Sequence, residues 1–162
     1  MDNYLAQAAQ AGGFAYSPNP LHQPAAFPDQ AGSLDAAAMA DAFAEITSWD
    51  SYAPTALHDL PDVAAHLGVH RVVFKDESTR FGLGSFKALG GAYAVRRLVK
   101  RTIKNGGSAA DLVVATATDG NHGRSVSWGA QRTGCAAKIY IHEHVSPARE
   151  AAMTAFGADV IR

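Results

Sequence analysis

An α/β fold built from parallel strand and helix units is predicted by three observations on this 162-residue chain. Short β-branched apolar runs alternate with amphipathic stretches from residue 108 onward. Glycines 134 and 157 stand where two of those stretches should close as helices. One apolar run, Asp111-Leu-Val-Val-Ala-Thr-Ala117, passes straight into a polar glycine turn ahead of a helical segment, as strands of parallel sheets do.

The elements follow in order. Residues 1–33, rich in Ala, Gln, Gly and Pro, read as an arm that packs on something else, because Ser17-Pro-Asn-Pro20 and the prolines through Pro28 deny regular helix. A helix is expected from Leu34 to Thr47, capped by Ser33, with apolar positions at Leu34, Ala38, Met39, Ala42 and Ile46. Leu60 to Leu67 reads as a short helix closed by Gly68, and Val72 to Lys75 as a strand. One helix is expected from about Ser85 to Lys104. Its stripe of Leu89, Ala92, Tyr93, Val99 and Ile103 should be buried, with Arg96, Arg97, Lys100 and Arg101 on a solvated face. Asn105-Gly-Gly-Ser108 ends it. Strand 112–117, helix 121–133, strand 137–142, helix 146–156 and strand 158–161 follow, the second helix opened by a Ser146 cap and a first-turn Pro147.

The chemistry concentrates at two places. Lys75-Asp-Glu-Ser-Thr-Arg-Phe-Gly-Leu-Gly-Ser-Phe-Lys87 delivers a lysine from a glycine loop onto a helix start, with Ser85 as a cap. Free N–H groups and positive potential there disfavour an extra ammonium and push Lys87 towards its nucleophilic amine, which can form a Schiff base. A solvated surface lysine is the plainer alternative. A nucleotide loop fits poorly, since the spacing and the hydroxyl residue after lysine of a P-loop are missing. The second place is Thr118-Asp119-Gly120-Asn121-His122-Gly123 at the strand end, where backbone N–H groups and short polar side chains can take a small anion, or merely form a capped turn.

Together the two segments resemble the fold type II family of pyridoxal-phosphate enzymes, which includes tryptophan synthase β subunits and serine and threonine dehydratases. The longer runs Lys75 to Gly91 and Asp119-Gly-Asn-His-Gly-Arg124, with Trp49-Asp-Ser-Tyr-Ala-Pro-Thr-Ala-Leu57 upstream, are similar to the diaminopropionate ammonia-lyases. Ala56 departs from the proline usual in the wider superfamily. The resemblance implies a partial fold type II fold. Residues 34–107 would be the N-terminal part of a large cofactor-binding domain, and 108–162 an incomplete small α/β domain. It implies pyridoxal 5'-phosphate carried on Lys87, with Phe86 packed against it and Asn121 on its phenolic oxygen. Thr118, Asp119, Gly120, Asn121 and His122 would hold the substrate carboxylate. It also implies elimination from 2,3-diaminopropionate to give pyruvate and two ammonia, an amino-acid substrate, and a homodimer for the full-length enzyme. The phosphate loop and the residue facing the pyridine nitrogen would lie downstream. Because the last strand, Ala158-Asp-Val-Ile, lacks a covering helix, the chain is expected to be an N-terminal fragment, inactive alone.

Asp119 separates the alternatives. Hydroxy-amino-acid dehydratases usually carry a small uncharged residue there, whereas a β-ammonium can pair with a carboxylate. The same carboxylate could act as a second acid or base opposite Lys87, or could simply cap the following helix. A serine or threonine dehydratase and a non-catalytic remnant that associates with a partner chain stay open.

A net charge of −1 supplies no basic field for nucleic acid or anionic lipid, and the apolar runs are too short to cross a bilayer. With a single cysteine and no signal-peptide pattern, a cytoplasmic enzyme is expected. His142-Glu143-His144 lacks the spacing of a metalloprotease helix and reads as surface histidines, so no metal is expected; Cys135 reads as a small residue at the core edge.

Overall fold

The computed structural model describes residues 36–162. The arm expected over 1–33 and the helix start expected at Ser33 and Leu34 lie outside the described residues. The first described element is α1 (Ala36–Thr47).

A two-stranded antiparallel ribbon follows, made of β1 (Leu57–Asp59) and β2 (Val73–Lys75), with His58 opposite Phe74. β1 was not expected, because Leu-His-Asp has no apolar alternation and is a strand only by virtue of its partner. Between the two lies α2 (Pro61–Leu67), with proline in its first turn. Gly68, at φ 65°, closes it by donating its N–H to the Ala64 and Ala65 carbonyls.

The helix expected from Ser85 is divided. A 3₁₀ turn over Phe86–Leu89 ends at Gly90, and α3 (Gly91–Lys104) starts afresh. In an unbroken helix the Lys87 carbonyl would accept from the Gly91 N–H. Here it accepts from the Gly90 N–H at 3.1 Å and from the Ser125 hydroxyl at 2.8 Å. Ser125 Oγ also accepts the Ala92 N–H at 3.0 Å and so caps α3 from a neighbouring helix. The buried stripe of α3 is Gly91, Ala92, Val95 and Val99, while Ile103 is exposed, a correction to the expected stripe. The basic face is not simply solvated either: Arg96 and Lys100 both pair with Glu45 of α1. Partial burial alone would raise the Glu45 pKa, but hydrogen bonds from Lys100, Trp49 and Arg96 outweigh it and hold the carboxyl at about 2.

The remaining chain forms a parallel three-stranded sheet in the order β3 (Val113–Ala117), β4 (Ala136–Tyr140), β5 (Asp159–Ile161). Its crossover helices are α4 (Asn121–Thr133) and α5 (Pro147–Thr154). Gly134 ends α4 at φ 75°. α5 stops at Thr154, short of the expected 156, and Ser146 accepts the Arg149 and Glu150 N–H groups through its carbonyl, not its hydroxyl. Period-2 alternation places Val114, Ala137 and Ile139 in the core and leaves Val113, Ala115 and Tyr140 exposed on the other face. Val95 and Val99 of α3 share this core with Val126, Ile139 and Met153, so the Asn105–Ser108 connection joins two parts of one core. Cys135 sits at its edge, 9 % exposed. A second cluster gathers Leu83, Ala88, Ala92 and Trp128, with Trp49 and Phe81 against it. Among the described residues no helix is long and apolar enough to cross a membrane.

Candidate active site

Lys87 sits on the 3₁₀ turn between the glycine loop and α3. Ser85 Oγ accepts the Lys87 N–H at 3.4 Å, so the expected cap forms, though on a 3₁₀ turn. Ala88 is fully buried while Phe86 and Lys87 beside it are exposed, so one small side chain anchors the turn and presents the other two. Lys87 Nζ lies 4.7 Å from the Phe86 ring centroid. Among the described residues this amine has no hydrogen bond or ion pair, which leaves it available for a covalent link.

The glycine loop ahead of it is held from two sides. Gly82 and Gly84 have φ of 68° and 70°, a region in which an L side chain is strained. Arg124 of α4 donates from Nη1 to the Leu83 carbonyl at 2.9 Å and from Nη2 to the Gly82 carbonyl at 3.3 Å. On the upstream side, buried Arg80 binds both carboxylate oxygens of Glu77, at 2.8 and 2.9 Å, and the Ala53 carbonyl at 3.0 Å. Arg80 holds the Glu77 carboxyl at about 2, against a smaller opposing effect of burial and with help from the Thr55 hydroxyl. Sequence reasoning passed over Glu77, Arg80, Arg124 and Ser125. The dense charge of Lys75-Asp-Glu-Ser-Thr-Arg80 was the one available sign of the first two, whereas the roles of Arg124 and Ser125 depend on contacts far along the chain.

The second motif turns at the end of β3. The Thr118 N–H donates to the Tyr140 carbonyl at 3.0 Å, while Thr118 Oγ1 accepts the N–H groups of Gly120 and Gly123 at 3.2 and 3.3 Å. The chain can close this tightly only because residue 123 is glycine: a Cβ there would lie 2.4 Å from Thr118 Cγ2 and 2.5 Å from Met153 Sδ. Thr118 therefore does the capping, and the Asp119 carboxylate has no hydrogen-bond or ion-pair partner among the described residues. Arg149 holds only the Asp119 carbonyl, at 3.2 Å. Asn121 and His122 are exposed at the start of α4, and their backbone N–H groups are uncommitted among the described residues. All five residues of this loop, Thr118 to His122, are exposed or half-buried.

The two motifs are brought together by α3 against α4. An ideal Cβ on Gly91 would fall 2.4 Å from Ser125 Oγ and 3.5 Å from His122 Nδ1, and one on Gly129 would fall 2.7 Å from Ala92 Cα. Small residues at these positions let the Lys87 turn and the Asn121–His122 helix start share one edge of the packed pair. His142, Glu143 and His144 lie elsewhere, exposed, with donor atoms within 4.8 Å of one another.

An exposed lysine on a braced glycine turn thus lies beside a strand-end turn tied down by the Thr118 hydroxyl. The chain belongs to the family described as "Pyridoxal-phosphate dependent enzyme", whose profile matches residues 49–162. Within that family it is 41% identical over 122 residues to the diaminopropionate ammonia-lyase of Escherichia coli strain K12, covering 68% of this chain and 30% of that protein. It is 39% identical over 124 residues to the Salmonella typhimurium diaminopropionate ammonia-lyase, covering 67% of this chain and 31% of that one. The crystal structure of the Escherichia coli lyase in complex with an aminoacrylate-PLP azomethine reaction intermediate superimposes with a TM-score of 0.65 at 41% identity, over 74% of this chain and 32% of that chain. The fold is accordingly part of a fold type II pyridoxal-phosphate fold, and the family's cofactor is pyridoxal phosphate. The chain spans about 30% of the length of the curated relatives it matches.

Proposed function

We propose that this chain supplies the amine and the substrate-carboxylate loop of an ammonia-lyase that converts 2,3-diaminopropionate to pyruvate and two ammonia. The observation that carries the reading is the Asp119 carboxylate, which has no partner among the described residues while the Thr118 hydroxyl caps α4. A β-ammonium substituent can pair with that carboxylate, and a β-hydroxyl cannot use it as well.

The exposed amine of Lys87 fits a covalently held pyridoxal phosphate, and Phe86 offers the apolar face beside it. When bound, that cofactor supplies an electron sink for the pair released as the Cα–H bond breaks. Lys87 Nζ, which would hold the cofactor, is also the base that would take the α-proton. The Asn121 and His122 N–H groups at the start of α4 take the substrate carboxylate, where the helix dipole favours an anion. Thr118 keeps those groups pointed outward by tying down Gly120 and Gly123. Asn121 would help hold the cofactor, as the family resemblance implies. Asp119 holds the leaving β-ammonium and can receive a proton on the face opposite Lys87.

The test is made on the protein extended to the full length of its relatives. Asp119→Asn should reduce ammonia release from diaminopropionate far more than from serine. Equal losses on the two substrates would return Asp119 to a structural role and favour a hydroxy-amino-acid dehydratase.

A further inference from the structure

A cavity of about 220 Å³ opens beside α3 and α4, and none of Lys87, Thr118, Asp119, Asn121 or His122 lines it. Its walls include Trp49, Asp50, Arg96, Trp128 and Arg132. Two indoles form its apolar surface, with ring centroids 5.8 Å apart in an edge-on arrangement. The Arg132 guanidinium lies 5.0 Å over the Trp128 ring and 3.5 Å from Asp50 Oδ2. Arg96 commits its Nε to Glu45 at 3.1 Å, and its terminal nitrogens carry no hydrogen bond among the described residues. Of the charged residues described in the lining, Arg96 and Arg132 outnumber Asp50, so the cavity wall keeps a surplus positive charge.

We propose that this cavity is a second ligand site, distinct from the Lys87 site, for a short-chain carboxylate. The carboxylate accepts from the terminal nitrogens of Arg96, and from Arg132 beside its ion pair with Asp50, in the planar pairing that guanidinium favours, while the carbon tail lies on the indoles. The volume falls below the roughly 300–1,000 Å³ usual for drug-sized ligands, which restricts the site to compact molecules. Asp50, 3.5 Å from Arg132 and largely exposed, can also take an α-ammonium, so an amino acid and a keto acid share the carboxylate contacts and differ only there.

Trp49 and Trp128 are the two tryptophans of the chain, so intrinsic fluorescence reads occupancy directly. The protein, without added cofactor, is titrated with sodium pyruvate and with L-serine, against sodium chloride at equal ionic strength. Saturable quenching by both organic ligands, absent with chloride, is expected. Arg96→Gln and Arg132→Gln should each weaken it about tenfold or more, the loss of a charge-assisted hydrogen bond. Lys87→Ala should leave it unchanged, and Asp50→Asn should weaken serine alone. Quenching that fails to saturate, that chloride reproduces, that survives both arginine changes, or that disappears with Lys87→Ala overturns the proposal. If circular dichroism shows one arginine variant unfolded, the other variant and the wild-type titration decide.

Discussion

Adding one methyl group at Gly91 tests how the two motifs are joined. Its Cβ would stand 2.4 Å from Ser125 Oγ and 3.1 Å from Ser125 Cβ, and Ser125 is 1 % exposed, so the hydroxyl cannot swing into solvent. Overpacking of this kind costs about 1–3 kcal/mol. Displacing the hydroxyl also weakens its bonds to the Ala92 N–H and the Lys87 carbonyl, at about 0.5–1.5 kcal/mol each. Against this, alanine is favoured over glycine in a helix by roughly 0.5–1 kcal/mol. Gly91→Ala should therefore destabilise by about 3 kcal/mol, a drop in Tm of roughly 10 °C for a body of this size. Ser125→Ala alone should cost about 1–3 kcal/mol, because the Ala92 N–H loses its partner. In the double variant the oxygen that clashes is already gone, so its cost should fall short of the sum by about 1 kcal/mol or more. Urea unfolding followed by tryptophan fluorescence and far-ultraviolet circular dichroism measures all three. Costs that add within about 0.5 kcal/mol, or a Gly91→Ala variant as stable as the parent, would refute the clash and with it the joining role of Ser125.

In a protein extended to the length of its relatives, Lys87→Ala should abolish both the visible absorbance of retained cofactor and turnover, and Lys87→Arg should fail equally because a guanidinium stays protonated. Turnover above trace in either would remove Lys87 from its role. Gly123→Ala should destabilise through contacts of 2.4 and 2.5 Å with Thr118 and Met153, and should loosen the strand-end loop, seen as faster amide exchange at Gly120. Glu45 and Glu77 have folded-state pKa values of about 2, below the ordinary carboxylate value near ~4.3 for the unfolded chain. Their stabilising contribution is therefore full above that ordinary value and is lost as pH falls towards 2. Acid titration of stability should show a shallower loss in Glu45→Gln and Glu77→Gln than in the parent; identical profiles would deny the pairing.

The parallel sheet and its crossover helices were legible because each carries its own signal: a short β-branched apolar run in β3, a helical stretch closed by Gly134, and a first-turn proline in α5. Lys87 and the Thr118–His122 turn were legible as motifs for the same reason, since glycine, hydroxyl and amine sit within a few residues of each other. β1 carried no local pattern, and its strand geometry is set by pairing with β2. The break at Gly90 was invisible for a related reason: residues 85–104 favour one continuous helix, and the hydroxyl that competes for the Lys87 carbonyl belongs to Ser125 on another element. So too with Asp119, whose candidacy as a cap was decided by the Thr118 hydroxyl reaching Gly123 first. Local periodicity and turn chemistry act over a few residues and can be read from composition and spacing. Which hydrogen-bond partner wins a given backbone group depends on what packing brings within 3 Å of it, and only the folded chain settles that.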